Sequence, residues 1–196
     1  AKVAKVRKGA AKALGSAITG HLNQLAMERA VVGVEVGGDD PADDVTMMLA
    51  ANPGTPAAPL SKVASGGELA RTMLAIRMVL TQGPPILVFD EVDAGIGGSA
   101  ANSMAESLSR LAQAHQIFVV THLAQVAASA HGQVAVSKSV KGGKTFGAAT
   151  RVAENERASE IARMLSGGVA DESANAHARD LLEKLGGQKK RSQRSS

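Results

Sequence analysis

Ser65, Gly66, Gly67 and Glu68 stand directly before a strongly periodic apolar segment. Two glycines let a backbone approach a ligand closely, and the first-turn amides of a helix carry about half a positive charge, so such a helix start is suited to holding phosphate. A Ser before a helix with Glu three residues on is also the capping-box pattern, and taken alone the quartet reads as a cap first. Asp90 and Glu91 follow the apolar run at 86–89. They therefore fall at the C-terminal end of a strand, where α/β sheets bind ligands. In such a pair the first acid helps to hold Mg²⁺ and the second polarises an attacking water; solvated loop acids are the plain alternative. His122 directly follows the apolar run at 116–121, where an imidazole reaches a phosphate lying over the neighbouring strand end. A capping or surface histidine is the plain alternative there, and His21, His115, His131 and His177 have no comparable setting.

The elements that must position these groups can be read from periodicity. Residues 1–29 read as a helix, with Leu14, Ile18, Leu22 and Leu25 at three- and four-residue spacing and Val3, Val6, Ala10 and Ala13 extending the stripe backwards. It is either the stump of a coiled coil or an ordinary amphipathic helix. Short β runs at 31–36 and 45–49 flank a Gly/Asp/Pro turn, and three prolines make 51–59 a loop. After the Ser-Gly-Gly-Glu quartet comes a helix whose Leu69, Met73, Ile76 and Leu80 share a face; Gly83, Pro84 and Pro85 stop it. The continuous apolar run at 86–89 is the mark of a strand buried on both faces, as in a parallel sheet. A helix over 99–114, a second buried strand at 116–121 and a short helix to about Ala130 follow. This alternation predicts α/β architecture, a mostly parallel sheet flanked by helices. Residues 133–153 read as two antiparallel edge strands around Gly142 and Gly143, and helices are expected at 155–165 and 171–185. The domain reading is 1–29 as an arm helix, 30–185 as the globular lobe and 186–196 as a disordered basic tail.

Composition narrows the class. Hydrophobic residues make up 44% of the 196, yet only Phe89, Phe118 and Phe146 are aromatic, so a core must be built from aliphatic side chains and Met. No apolar run approaches the ~20 residues that span a bilayer, which argues against a membrane partner. Cysteine is absent, which excludes disulfides and thiolate metal sites and suits a reducing cytoplasm. The net charge of +4 is uneven. Five basic residues (Lys2, Lys5, Arg7, Lys8, Lys12) open the chain and four (Lys189, Lys190, Arg191, Arg194) close it, leaving 13 basic against 18 acidic residues in the body. An opening Ala in place of Met points to a fragment of a longer protein.

The combination of a Ser-Gly-Gly-Glu helix, an apolar-Asp-Glu strand about twenty residues on and a strand-His about thirty beyond resembles the C-terminal lobe of ABC ATPases. The strings LSKVASGGELAR (60–71), FDEVDAGIGG (89–98) and VTHLAQV (120–126) resemble the bacterial RecN family of SMC-like DNA-repair ATPases, from the first helix to about residue 185. The resemblance implies ATP and Mg²⁺ as cofactors. It makes Ser65, Gly66 and Gly67, with Glu68, the signature loop that meets the γ-phosphate of ATP held by an opposite head. Asp90 becomes the Walker B metal acid, Glu91 the water-activating residue, Asp93 part of the D-loop that crosses the dimer interface, and His122 the switch histidine. Arg71, a turn further on, faces the phosphates or DNA on this reading. DNA as a partner and a cytoplasmic, nucleoid-associated place follow from the resemblance alone.

One element of the family pattern is absent. The phosphate-cradling motif Gly-x4-Gly-Lys-Ser/Thr does not occur: Gly143, Lys144 and Thr145 resemble its end, but Lys138 stands where its first Gly belongs, and strand-like sequence follows in place of a helix. Gly142 and Gly143 read as a hairpin turn. A Walker A lobe is therefore expected upstream of residue 1, beyond a coiled coil that the first helix begins or ends, and the chain alone is expected not to hydrolyse ATP. A head of another ABC class and a non-catalytic interaction module are the alternatives.

Overall fold

The computed structural model describes residues 2–38, 44–63, 65–80 and 83–186. The chain forms two compact units that divide between Thr121 and His122. Of the tail expected to be disordered over 186–196, Gly186 ends a helix and 187–196 lie outside the described residues.

The first unit opens with α1 (Lys2–Leu22), shorter than the sequence suggested. Asn23, with its amide turned to donate, bonds the carbonyls of Thr19 (3.2 Å), Met27 (3.1 Å) and Glu28 (3.2 Å), and Ala26 adopts a left-handed φ of 58°. A short amide side chain that satisfies backbone carbonyls competes with helix continuation. The chain then turns while Leu25 stays buried. The buried stripe of α1 is Ala4, Ala11, Gly15, Ile18 and Leu22, whereas Val3 and Val6 are exposed. Gly15 is required here: a Cβ would lie 2.7 Å from the carbonyl oxygen of Val32, on the strand that α1 crosses. Thr19 reinforces the contact by accepting the Val32 amide at 2.9 Å.

That strand is β1 (Val31–Val36), antiparallel to β2 (Val45–Ala50), which in turn pairs with β3 (Ala58–Pro59). The segment read as all loop thus contributes a two-residue strand, since Met48 and Leu49 offer an edge that Pro59 and Ala58 can complete. A 3₁₀ turn (Leu60–Lys62) leads to α2 (Gly66–Val79), then β4 (Ile86–Phe89), α3 (Gly98–Leu111) and β5 (Gln116–Val119). β4 and β5 run parallel, Ile86 opposite Gln116 to Phe89 opposite Val119, and they are the parallel portion of the sheet structure. Leu74, Met104, Ile18 and Val92 are fully buried in this unit.

The expected burial of both strands is corrected. Leu87 and Phe89 are buried, but Ile86 is 52% and Val88 69% exposed, and Phe118 on β5 and Val120 just after it are 53% and 61% exposed. The sheet is therefore covered on one face only. On α2 the exposed stripe is Leu69, Met73 and Leu80, and the buried face runs through Gly67, Arg71, Thr72, Leu74, Ala75 and Ile76. Apolar periodicity locates a face that has to be covered, but not what covers it.

The second unit contains α4 (Ala124–Ser129), β6 (Val134–Lys141), β7 (Lys144–Arg151), a 3₁₀ turn (Glu154–Glu156), α5 (Arg157–Ser166) and α6 (Glu172–Gly186). Its core joins the three helices through Ala124, Ala127, Ala128, Ile161, Ala162 and Leu181. β6 and β7 form a hairpin turning at Gly142 and Gly143, with φ of 56° and 73°. Both central residues of this two-residue turn need left-handed backbone, which glycine supplies without a Cβ clash.

Candidate functional site

The start of α2, the C-terminal end of β4 and the turn that follows β4 lie together in the first unit. Ser65 is the N-cap, extended at φ −91° and ψ 119°, and its hydroxyl accepts the Glu68 amide at 3.4 Å. The capping geometry is thus realised, while Ser65 and Gly66 remain exposed. Gly67 is buried: a Cβ there would stand 3.0 Å from the Ala94 methyl and 3.1 Å from Arg71 Nη1. Only a glycine lets the turn after β4 lie so close to the helix.

Asp90 is exposed at the end of β4, and its Oδ1 accepts the Glu91 amide at 2.9 Å. That bond helps to set Glu91 in a left-handed conformation, φ 57°, which costs a non-glycine residue ~1 kcal/mol or more. Ala94 N then donates to Glu91 O and Ile96 N to Asp93 O, both at 3.0 Å, closing the turn. The outcome is that the Glu91 carboxylate rests against Gly66: any side chain at 66 would collide with Oε2, and Cδ would lie 3.6 Å from its Cβ. The signature-like helix start and the second strand-end acid are therefore in direct contact.

Asp93 faces inward at 3% exposure. Its Oδ2 accepts the Thr121 hydroxyl at 2.5 Å, linking the turn after β4 to the segment that leaves β5. His122 comes next, exposed, as the first residue of the second unit.

Sequence reading offers Arg71 only a place facing phosphates or DNA, and Ala94 and Thr121 no role; the structure ties all three to the site. Arg71 is 8% exposed, and its Nη1 donates to the Ala94 carbonyl at 2.8 Å, while its buried Nε has no partner. Burial lowers the guanidinium pKa, and the nearby Glu68 carboxylate opposes that shift. Arg71 and Glu68 also line a polar cavity of about 440 Å³ shared with Asn23, Arg29, Asn52 and Ser103. A cation inside an otherwise apolar helix face was the available signal for Arg71, because such a charge is kept only where it has polar work to do.

Among the described residues no group of three or more His, Cys, Asp or Glu side chains could hold a metal, and no helix is long and apolar enough to cross a membrane. Asp90 by itself suits Mg²⁺, which takes one or two carboxylates and fills its remaining positions with phosphate oxygens and water. Its Oδ2 is left over from the bond that Oδ1 makes to Glu91.

No family model matches the chain. It is 55% identical over 139 residues to the DNA repair protein RecN of Deinococcus radiodurans, covering 71% of this chain and 24% of that protein. With the RecN of Streptomyces coelicolor it shares 44% identity over 196 aligned positions (90% and 34%), and with that of Vibrio cholerae 40% over 189 (92% and 34%). The chain thus spans about a third or less of the length of these relatives. In three dimensions it resembles the Smc head domain with a coiled coil and joint from Pyrococcus yayanosii, TM-score 0.56 at 17% identity, covering 76% of this chain and 28% of that one. The Smc head with an extended coiled coil from Pyrococcus furiosus, bound to the C-terminal domain of ScpA, gives 0.52 at 19%, covering 79% and 38%. The likeness to these heads is one of fold.

Proposed function

Since the chain belongs to the RecN family of DNA repair proteins, we propose that it is the signature-and-Walker-B half of an SMC-like ATPase head that works in DNA repair. The observation that carries this reading is the meeting of the α2 start with the Asp90–Glu91 strand end at one rim of the first unit. Two facts support the division of labour. The chain lacks a phosphate-cradling motif. Ile86, Val88, Phe118 and Val120 also present a bare apolar sheet face, as a half-head awaiting a Walker A lobe would.

On this reading the complete protein pairs two heads over ATP. The helix start at Ser65, Gly66 and Gly67 receives the γ-phosphate of ATP held by the opposite head, its amides offering partial positive charge. Asp90 supplies a metal-binding carboxylate. Glu91 orients and polarises the water, and His122 contacts the phosphate of its own head's nucleotide. Asp93 and the turn around it form the D-loop: the Asp93 carboxylate anchors the turn from inside, and exposed Ala94 and Gly95 meet the partner. When bound, Mg²⁺–ATP supplies the phosphoryl group and the cation that offsets its charge. Preorganised donors of this kind are worth most where charge develops in the transition state. DNA would be engaged in the cytoplasm by the full-length protein.

Glu91→Gln in the full-length protein tests the reading. Retained ATP binding with turnover reduced by about 10²-fold or more is expected for loss of a water-activating base; unchanged turnover would remove Glu91 from the role.

A further inference from the structure

Glu91 has the least comfortable backbone in the site, and its side chain reaches toward its own α2. A helix N-terminus attracts anions, and Glu91 Oε2 lies on the Cβ side of Gly66, where a phosphate drawn to the same helix start would crowd it. Three contacts hold the surrounding turn in place: Ala94 N to Glu91 O, Arg71 Nη1 to Ala94 O, and Thr121 Oγ1 to Asp93 Oδ2. The Glu91 backbone is thereby fixed, and its exposed side chain is what can move.

We propose that the Glu91 carboxylate against Gly66 is a resting, self-blocking position, in which the acid occupies in its own chain the seat that the partner's γ-phosphate takes on pairing. This rests on the function proposed above and adds a mode of regulation to it. Two anions cannot share one helix start. Phosphate arriving from the opposite head displaces the carboxylate, which then becomes available to the nucleotide of its own head. Each site gains its water-orienting acid only when the other is filled, so idle hydrolysis by an unpaired head is suppressed. The exposure of Ser65 and Gly66 leaves the seat open to an incoming phosphate.

The test is nucleotide-dependent pairing of the full-length protein with β,γ-imido-ATP, which removes hydrolysis as a variable, followed by analytical ultracentrifugation. Glu91→Gln neutralises the acid. Glu91→Asp keeps the charge, withdraws it from Gly66 by one methylene, and suits a left-handed backbone better than Glu does. Both variants are expected to reach half-maximal pairing at a protein concentration about three- to fivefold lower than wild type, the shift that matches up to about half a kcal/mol at each of the two seats in a pair. Equal midpoints for wild type and Glu91→Asp would overturn the proposal while leaving the ATPase reading intact, and tightening by Glu91→Gln alone would overturn it in favour of charge repulsion in the acid's own site. Failure of all three proteins to pair with nucleotide would refute the paired-head reading and this proposal with it.

Discussion

Thr121 Oγ1 donates to Asp93 Oδ2 at 2.5 Å, tying the segment that leaves β5 to the turn after β4. A hydroxyl–carboxylate bond this short is charge-assisted, and it lies on a carboxylate that is almost fully buried. Removing the carboxylate removes the acceptor of this bond from a buried turn. Asp93→Ala is therefore expected to lower stability by about 2–3 kcal/mol, and Asp93→Asn, which still accepts from Thr121, by about 1 kcal/mol. Urea midpoints for the two variants check this order; equal losses would mean that the Thr121 bond is not what holds the turn.

Arg71 separates a link that serves function from one that serves stability. It is a buried cation with a single hydrogen bond to Ala94 O and an orphaned Nε. Replacing a poorly compensated buried charge by an apolar side chain of similar length is often neutral or stabilising by ~1–4 kcal/mol. Arg71→Met should thus unfold at a midpoint no lower than wild type. In the full-length protein it should nevertheless slow ATP turnover by about tenfold, because the turn that carries Glu91 loses its tie to α2, and small misplacements of catalytic groups are costly. A marked fall in the unfolding midpoint would identify Arg71 as a structural residue instead.

His21 on α1 makes stability depend on pH. Burial, and secondarily the positive charge of Arg110, lower its pKa below the usual histidine value of 6.5. The unfolded chain then binds a proton at a pH where the folded chain does not. Stability attributable to His21 is fully present above pH 6.5 and is lost as pH falls from that value through the lowered folded pKa. His21→Gln should flatten this part of the profile. Chemical denaturation at a series of pH values from 7.5 downwards reads it out, and an unchanged slope in the variant would exclude His21 as its source.

In the second unit Arg157 closes the end of α4. Its Nη2 donates to the carbonyls of Ala127 (3.0 Å), Ala128 (3.4 Å) and Ala130 (2.9 Å), and the residue is 3% exposed. Arg157→Ala removes this donor from all three carbonyls, of which Ala127 O keeps the Ala130 amide, and should cost about 3 kcal/mol. Arg157→Lys should recover less than half of it, since an ammonium lacks the planar fork that reaches several acceptors at once. Thermal unfolding monitored in the region of α4 and α5 distinguishes the two variants.

These contacts mark where sequence reading succeeds and where it stops. β1 at 31–36, β4 at 86–89 and the turn at Gly142 and Gly143 are legible because β-branched runs and paired glycines act locally. The proximity of α2 to Asp90 and Glu91 is legible too, because a helix leading into a strand brings its N-terminus back to the strand's C-terminal end. The end of α1 was missed because Asn23 settles it through carbonyls on either side of the turn. The bare face of β4 and β5 departs from the expected burial because the apolar runs at 86–89 and 116–121 record only a demand for cover. The seat of Glu91 on Gly66 could not be read at all. It depends on one left-handed residue and on a glycine whose missing Cβ leaves room for Oε2.

On the function proposed above, this chain carries half of a split ATP site. ATP turnover by the purified 196-residue chain, measured alone and after addition of the Walker A lobe of the same protein, decides whether it does. No turnover alone and clear turnover on mixing, abolished by Glu91→Gln in this chain, is the predicted result. Sustained hydrolysis by the chain on its own, surviving that substitution, would contradict it.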